Sequence, residues 1–169
     1  MNKVSLSSLT ENILDEIVAS FKEIGWNKPK TTYEHYLEDQ AQNSRSIFVV
    51  TVENKFAGYV TLKWISDYKH FKEDKIPEIS DLNVLPKYRK QGIGTILIKA
   101  CENIARERGY HKIGLGVGLA IDYGSAQRLY VKLGYIPDGR GIHYHYQPVG
   151  YFQNVKVDDD LVLFLEKIF

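Results

Sequence analysis

The sequence contains one cysteine, Cys101, so neither an internal disulfide nor a cysteine zinc cluster is available to it. It lacks any apolar run approaching the ~18 to 20 residues needed to cross a bilayer, and a membrane protein is not expected. It also lacks an excess of charge. Lys plus Arg number 22 against 21 for Asp plus Glu, which leaves no global field to attract nucleic acid or an anionic membrane, so anion binding has to be local. There is no internal repeat or low-complexity linker, and Asp158 to Asp160 form the only charge block. Met1 to Thr10 lacks the charged and apolar regions of a signal peptide, and a cytoplasmic protein is expected. What is present suits a soluble globular chain: 44% hydrophobic and 25% charged residues in a length of 169. That length is close to the ~150 residues of one domain, so a single domain over residues 1–169 is expected.

Hydrophobic period and turn residues divide the chain into elements. After Thr10, a candidate N-cap, Ile13, Leu14, Ile17, Val18, Phe21 and Ile24 recur at helical steps up to Gly25. A weaker helix is predicted from about Thr32 to Gln42, and the connection carrying Trp26 is a loop. The β-branched and aromatic runs Ser46 to Val52 and Phe56 to Ile65 read as two strands joined by a tight turn at Glu53-Asn54-Lys55. Ser66 to Ile76 reads as a loop and Glu78 to Leu85 as a strand closed by Pro86. Ile93, Ile96, Leu97, Ala100, Cys101, Ile104 and Ala105 mark a long amphipathic helix that Gly109 closes, with Cys101 on its apolar face as a core residue. In Lys112 to Leu119, Ile113, Leu115 and Val117 alternate with Gly114, Gly116 and Gly118, so one strand face is apolar and the other bare. A bare face admits either close helix packing or close approach of a ligand. A helix from about Gly124 to Leu133 follows, and Tyr135 to Phe169 reads as two strands around a long loop. This order predicts an α/β (α+β) fold with a mixed, mostly antiparallel central sheet flanked by helices.

The segment that carries chemistry is Leu82-Asn83-Val84-Leu85-Pro86 followed by Lys87-Tyr88-Arg89-Lys90-Gln91-Gly92-Ile93-Gly94, with the long helix starting at once. Unpaired backbone N–H groups, glycines without side chains and three cationic residues meet at a helix N-terminus, the makings of a pyrophosphate site. A Walker A loop would need a Gly-Lys-Ser/Thr ending, which is missing, and a dinucleotide fingerprint would need glycine at Leu97. The plain alternative is a glycine-rich turn with solvated basic residues.

Arg89-x-x-Gly92-x-Gly94 after a strand ending Leu82-x-Val84 resembles the acetyl-CoA signature of the GNAT (Gcn5-related N-acetyltransferase) superfamily. Ala126-x-x-Leu129-Tyr130-x-x-x-Gly134-Tyr135 resembles its second signature, with Tyr123 where Asn is frequent and Tyr135 in place of Phe. The resemblance covers nearly the whole chain and implies the GNAT acyl-CoA acyltransferase fold and transfer of acetyl from acetyl-CoA to a primary amine of a small molecule or peptide. It implies that the backbone of Leu82, Asn83 and Val84 pairs with the pantetheine arm. N–H groups of Arg89, Lys90, Gln91, Gly92, Ile93, Gly94 and Thr95 would hold the pyrophosphate, with Ser125 and Arg128 as further cofactor contacts. It gives Tyr130 the role of acid toward the departing thiolate, although helical spacing with Ala126 and Leu133 also suits a core aromatic.

Two carboxylates are candidate bases, Glu78 and Asp81. Glu78 lies fourteen residues before Gly92, the spacing used by the histone-modifying branch of the superfamily, and Asp81 lies nearer the thioester end. Period-two alternation puts them on opposite faces, while a bulge of the kind common in this strand of the family would change that parity. Each also suits a solvated or salt-bridged surface site. In the superfamily the first helices and the last strands build the acceptor groove. Here they supply Trp26, Tyr33, Tyr36, His143 and His145. His143 and His145 share strand parity, but no third ligand at convincing spacing accompanies them, so no metal is expected. No serine sits in a nucleophile elbow, and a covalent acyl-enzyme is not expected. Asp158 to Asp160 would attract a polyamine or aminoglycoside or form a solvated turn. Dimers are common in the superfamily. A noncatalytic acyl-CoA binding or sensing module, and a nucleotide-binding regulatory domain using the same turn, are the alternative functions.

Overall fold

The elements follow the hydrophobic patterns read above, with three additions. The computed structural model describes residues 3–169. Met1 and Asn2, the start of the stretch read for a signal peptide, lie outside the described residues. The strands are β1 (Val4–Ser8), β2 (Arg45–Val52), β3 (Lys55–Lys63), β4 (Glu78–Val84), β5 (Lys112–Gly118), β6 (Ile136–Tyr144), β7 (Gln147–Pro148) and β8 (Leu161–Ile168). The helices are α1 (Leu14–Glu23), α2 (Lys30–Ala41), α3 (Lys69–Glu73), α4 (Ile93–Glu107) and α5 (Gly124–Lys132). Hydrogen-bonded neighbours run β1-β2-β3-β4-β5-β8-β6-β7. Pairing is antiparallel for β1/β2, β2/β3, β5/β8, β6/β8 and β6/β7 and parallel for β4/β5. Among the described residues no helix is long and apolar enough to cross a membrane.

Contacts divide the chain into two units, one taking residues up to Trp64 and then Ser80–Asn103, the other Ile65–Ile79 and Ile104–Phe169. In the first, the β2/β3 hairpin closes through Glu53 and Asn54, both left-handed at φ 49° and 60°, which is what a two-residue turn compatible with strand twist requires. The periodic face of α1 puts Leu14, Ile17 and Phe21 into a core with Tyr33 of α2, Ile47, Val49, Phe56 and Tyr59 of the sheet, and Leu85. Each such large side chain stabilises the fold by ~1.5 to 3 kcal/mol relative to exposure.

In the second unit β5 pairs with β8 along its whole length and with β4 at Glu78↔Gly114 and Ile79↔Leu115. The bare face of β5 is filled by aromatic side chains. A Cβ on Gly114 would lie 2.3 Å from the Phe71 ring, one on Gly116 3.1 Å from Phe164, and one on Gly118 2.5 Å from the Tyr123 ring. Phe71 itself is wedged edge-on against Tyr68 and Phe164, which stack with centroids 3.7 Å apart. Gly114→Ala therefore overpacks a rigid ring cluster and is expected to cost about 1 to 3 kcal/mol in urea unfolding. Gly114→Ala combined with Phe71→Leu should cost less than the two single changes added together, and simple additivity would contradict the packing argument.

The segment Ser66 to Ile76, expected as a loop, contains the short α3 anchored by Phe71. The C-terminal part holds a third strand, the two-residue β7, besides the two expected. The edge strand β1 gave no sequence signal because four of its five residues are exposed and three of the five are serines.

Candidate active site

In the first unit, β4 runs into a single helical turn at Pro86–Tyr88, after which Lys90 (φ 59°) and Gly92 (φ 83°) reverse the backbone and α4 begins. Ile96 N–H bonds back to Gly92 O at 3.0 Å. Helix geometry leaves the N–H groups of Ile93, Gly94 and Thr95 without a carbonyl inside the helix. A Cβ on Gly92 would meet nothing within 4 Å, so the turn is open beside it. Arg89 donates from Nε to Val84 O at 3.1 Å with its guanidinium over the Trp26 ring, and Gln91 donates from Nε2 to Lys87 O at 2.9 Å. Both side chains thus brace the turn. An anion would meet its backbone N–H groups and the exposed Lys87 and Lys90. These donors fit a pyrophosphate. Leu82, Asn83 and Val84 are half-buried on the approach to the turn.

Asp81 has φ 49°, so β4 leaves the extended conformation there and simple alternation fails downstream. Its Oδ1 accepts from Lys28 Nζ at 2.6 Å and from Asn83 Nδ2 at 2.7 Å, and its Oδ2 from Tyr36 at 2.8 Å and also from Tyr59. The Lys28 ammonium lies 5.7 Å from the Phe21 ring centroid and 5.4 Å from that of Tyr59. Burial pushes the Asp81 carboxyl up, but the Lys28 charge and the donated hydrogen bonds outweigh it and hold the group below the usual carboxylate range. A carboxylate so lowered and fully engaged is a weak proton acceptor.

Glu78 stands differently. It is 4% exposed, Ser66 Oγ donates to its Oε2 at 2.6 Å, and Ser66 Oγ in turn accepts the Tyr68 N–H at 3.0 Å. Within the second unit Glu78 lines a cavity of about 120 Å³ with Gly116, His145, Tyr146, Asp159, Asp160, Val162 and Phe164. His145 and Tyr146 are left-handed at φ 48° and 64°, forming the turn between β6 and β7.

The remaining expected residues separate by environment. Tyr130 is 7% exposed, and burial pushes its hydroxyl up to about 12, so it is a neutral donor at any physiological pH. Ser125 and Arg128 are exposed on α5. Tyr33 is fully buried in the core with its ring parallel to Phe21, whereas Trp26 and Tyr36 keep part of their surface. His143 is buried with its ring edge-on to the stacked Tyr68 and Phe164 and with Nδ1 3.2 Å from Gly141 O. His145 is exposed and lies 3.3 Å from Asp160 Oδ2. The shared strand parity of the two histidines does not hold, because the turn begins at His145. Among the described residues no three His, Cys, Asp or Glu side chains gather as metal ligands. Lys28 and Ser66 gave no sequence signal, since each acts on a carboxylate far along the chain.

The model of the Acetyltransferase (GNAT) family matches residues 11–135. An uncharacterised N-acetyltransferase of Methanocaldococcus jannaschii is 26% identical over 140 residues, covering 78% of this chain, and the chain spans about 60% of that curated relative's length. An N-acetyltransferase from Staphylococcus aureus superposes with a TM-score of 0.74 at 19% identity, covering 98% of both chains. The PaiA N-acetyltransferase from Thermoplasma acidophilum, solved with coenzyme A, gives 0.64 at 14% identity over 99% of both. At these identities the structural likeness speaks for the fold.

Proposed function

Because the chain belongs to the GNAT acetyltransferase family, we propose that it transfers acetyl directly to a primary amine, a reading carried by the buried Glu78 carboxylate at a solvent cavity. Acetyl-CoA is the cosubstrate and supplies the activated acetyl group. An aliphatic amine of pKa ~10.4 is only ~0.04% neutral at pH 7, a deficit of ~4.6 kcal/mol, so a proton acceptor at the amine is worth having. Glu78 fills that role in this reading, and Asp81 positions its strand. Glu78 takes one proton from the ammonium to free the nitrogen lone pair. As the C–N bond forms and the C–S bond breaks, a second nitrogen proton passes to the departing sulfur, so the cosubstrate leaves as the thiol and Glu78 returns its proton to water. The resemblance directs the Tyr130 hydroxyl toward the leaving sulfur. A thiol pKa near ~8.5 makes it the stronger acid of the two, so Tyr130 acts as a hydrogen-bond donor to the sulfur more than as a full proton donor. The α4 turn and the Leu82 to Val84 backbone are assigned to the cosubstrate, with Ser125 and Arg128 as further contacts.

Thiol release from acetyl-CoA with pooled primary amines tests this. Tyr130→Phe should lower kcat roughly tenfold to a hundredfold with little change in KM for acetyl-CoA. Gly92→Glu should block saturation with acetyl-CoA, since it adds a negative charge at the turn and forces φ 83° on a side chain that resists it. Tight acetyl-CoA binding without release on any amine, unaffected by Tyr130→Phe, would instead establish a noncatalytic binding module.

A further inference from the structure

We infer that the cavity beside Glu78 takes a short aliphatic diamine, its reacting nitrogen at Glu78 and its second ammonium at Asp159 and Asp160. This rests on the acetyl transfer proposed above and names the acceptor class of that same site. The cavity's volume of about 120 Å³ is several times the ~10 to 15 Å³ that one water needs, room for a short aminoalkyl chain. Three of its lining residues are carboxylates and none is Lys or Arg. The one basic group, His145, faces Asp160 at 3.3 Å. The carboxylates sit at different depths. Glu78 is 4% exposed, whereas the Asp160 side chain is 57% exposed at the rim. They do not converge on a point, so they suit an extended dication better than a single ion.

The rim is built by the fold. Asp160 directly precedes β8, and its carbonyl accepts the His145 N–H at 3.3 Å, which ties the β6–β7 turn to it. Tyr123 donates to Asp159 Oδ1 at 2.8 Å, leaving the carboxylate other lone pairs for a ligand. Between floor and rim, Tyr146 and Phe164 lie with centroids 6.2 Å apart and planes 22° from parallel, beside Val162. Ring faces and an aliphatic side chain accept the methylene stem of an amine and favour a cation near them.

The test compares butane-1,4-diamine, butylamine and 4-aminobutanoate as acceptors for the full chain, three four-carbon amines whose far ends are an ammonium, a methyl group and a carboxylate. Expected is a kcat/KM about tenfold higher for the diamine than for butylamine, and lower again for 4-aminobutanoate, whose carboxylate meets like charge at the rim. The Asp159→Asn/Asp160→Asn variant, checked for folding by thermal melting, should bring the diamine-to-butylamine ratio to within about twofold. Equal or better use of butylamine by the unaltered chain overturns the inference, as does a diamine preference that survives both substitutions. Release with peptide amines but none with the four-carbon amines overturns it and leaves acetyl transfer standing. No release with any amine removes both.

Discussion

Glu78→Gln is expected to lower kcat for acetylation of an aliphatic amine at pH 7 by roughly a hundredfold to a thousandfold, within the range that a positioned general base supplies. Glutamine has nearly the same shape and can still accept the Ser66 hydrogen bond, which measures 2.6 Å in the unaltered chain. The substitution therefore removes proton acceptance while keeping the packing. The loss should depend on pH in a defined direction. Below the amine pKa of ~10.4 the neutral fraction of the acceptor rises about tenfold per pH unit, so the variant should regain most of its rate between pH 7 and 9. The KM for acetyl-CoA should stay near its original value, because the turn proposed to hold the pyrophosphate is built from other residues. An unchanged kcat at pH 7 would remove Glu78 from the mechanism. A loss that pH does not relieve would assign it a purely structural role under Ser66 and Tyr68.

Asp81→Ala is expected to destabilise the fold by about 2 to 3 kcal/mol in urea unfolding at pH 7. Removing one partner of a buried ion pair costs ~3 to 5 kcal/mol because the other charge is left without compensation. Here the side chains of Lys28 and Asp81 are 28% and 24% exposed, and water reaching the stranded ammonium reduces that figure. The phenols of Tyr36 and Tyr59 lose their acceptor at the same time. The pH dependence has a fixed sign. The carboxyl is held below its ordinary value in the folded chain, so its contribution is fully present above the unfolded pKa of ~3.9 and is lost as pH falls through the lower, folded value. Unaltered protein should therefore lose stability below about pH 4 more steeply than Asp81→Asn. Lys28→Met/Asp81→Ala should cost less than the two single substitutions summed, since no buried charge is left alone. A cost under about 1 kcal/mol for Asp81→Ala would show that water replaces the network freely.

The parts legible in the sequence are those whose causes lie within a few residues of each other. The three- and four-residue spacing from Ile93 to Ala105 specifies α4, and the Gly92 turn before it follows from a left-handed backbone that glycine alone adopts cheaply. The alternating glycines of β5 are legible in the same way. What fills their bare face was not, because Phe71, Phe164 and Tyr123 come from three separate segments brought there by chain pairing. Strand β1 is too exposed, α3 too short and β7 too small to leave a periodic signal.

The two carboxylates show the division most clearly. Both are visible on one predicted strand as candidate bases, and sequence does not decide between them. Tertiary structure separates them, giving Asp81 a lysine 53 positions away and giving Glu78 a cavity whose rim lies at Asp159 and Asp160. Local pattern encodes which face of an element is apolar. Partners at long range are set only when the sheet closes, so the charge state and solvent access of a side chain are properties of the folded chain.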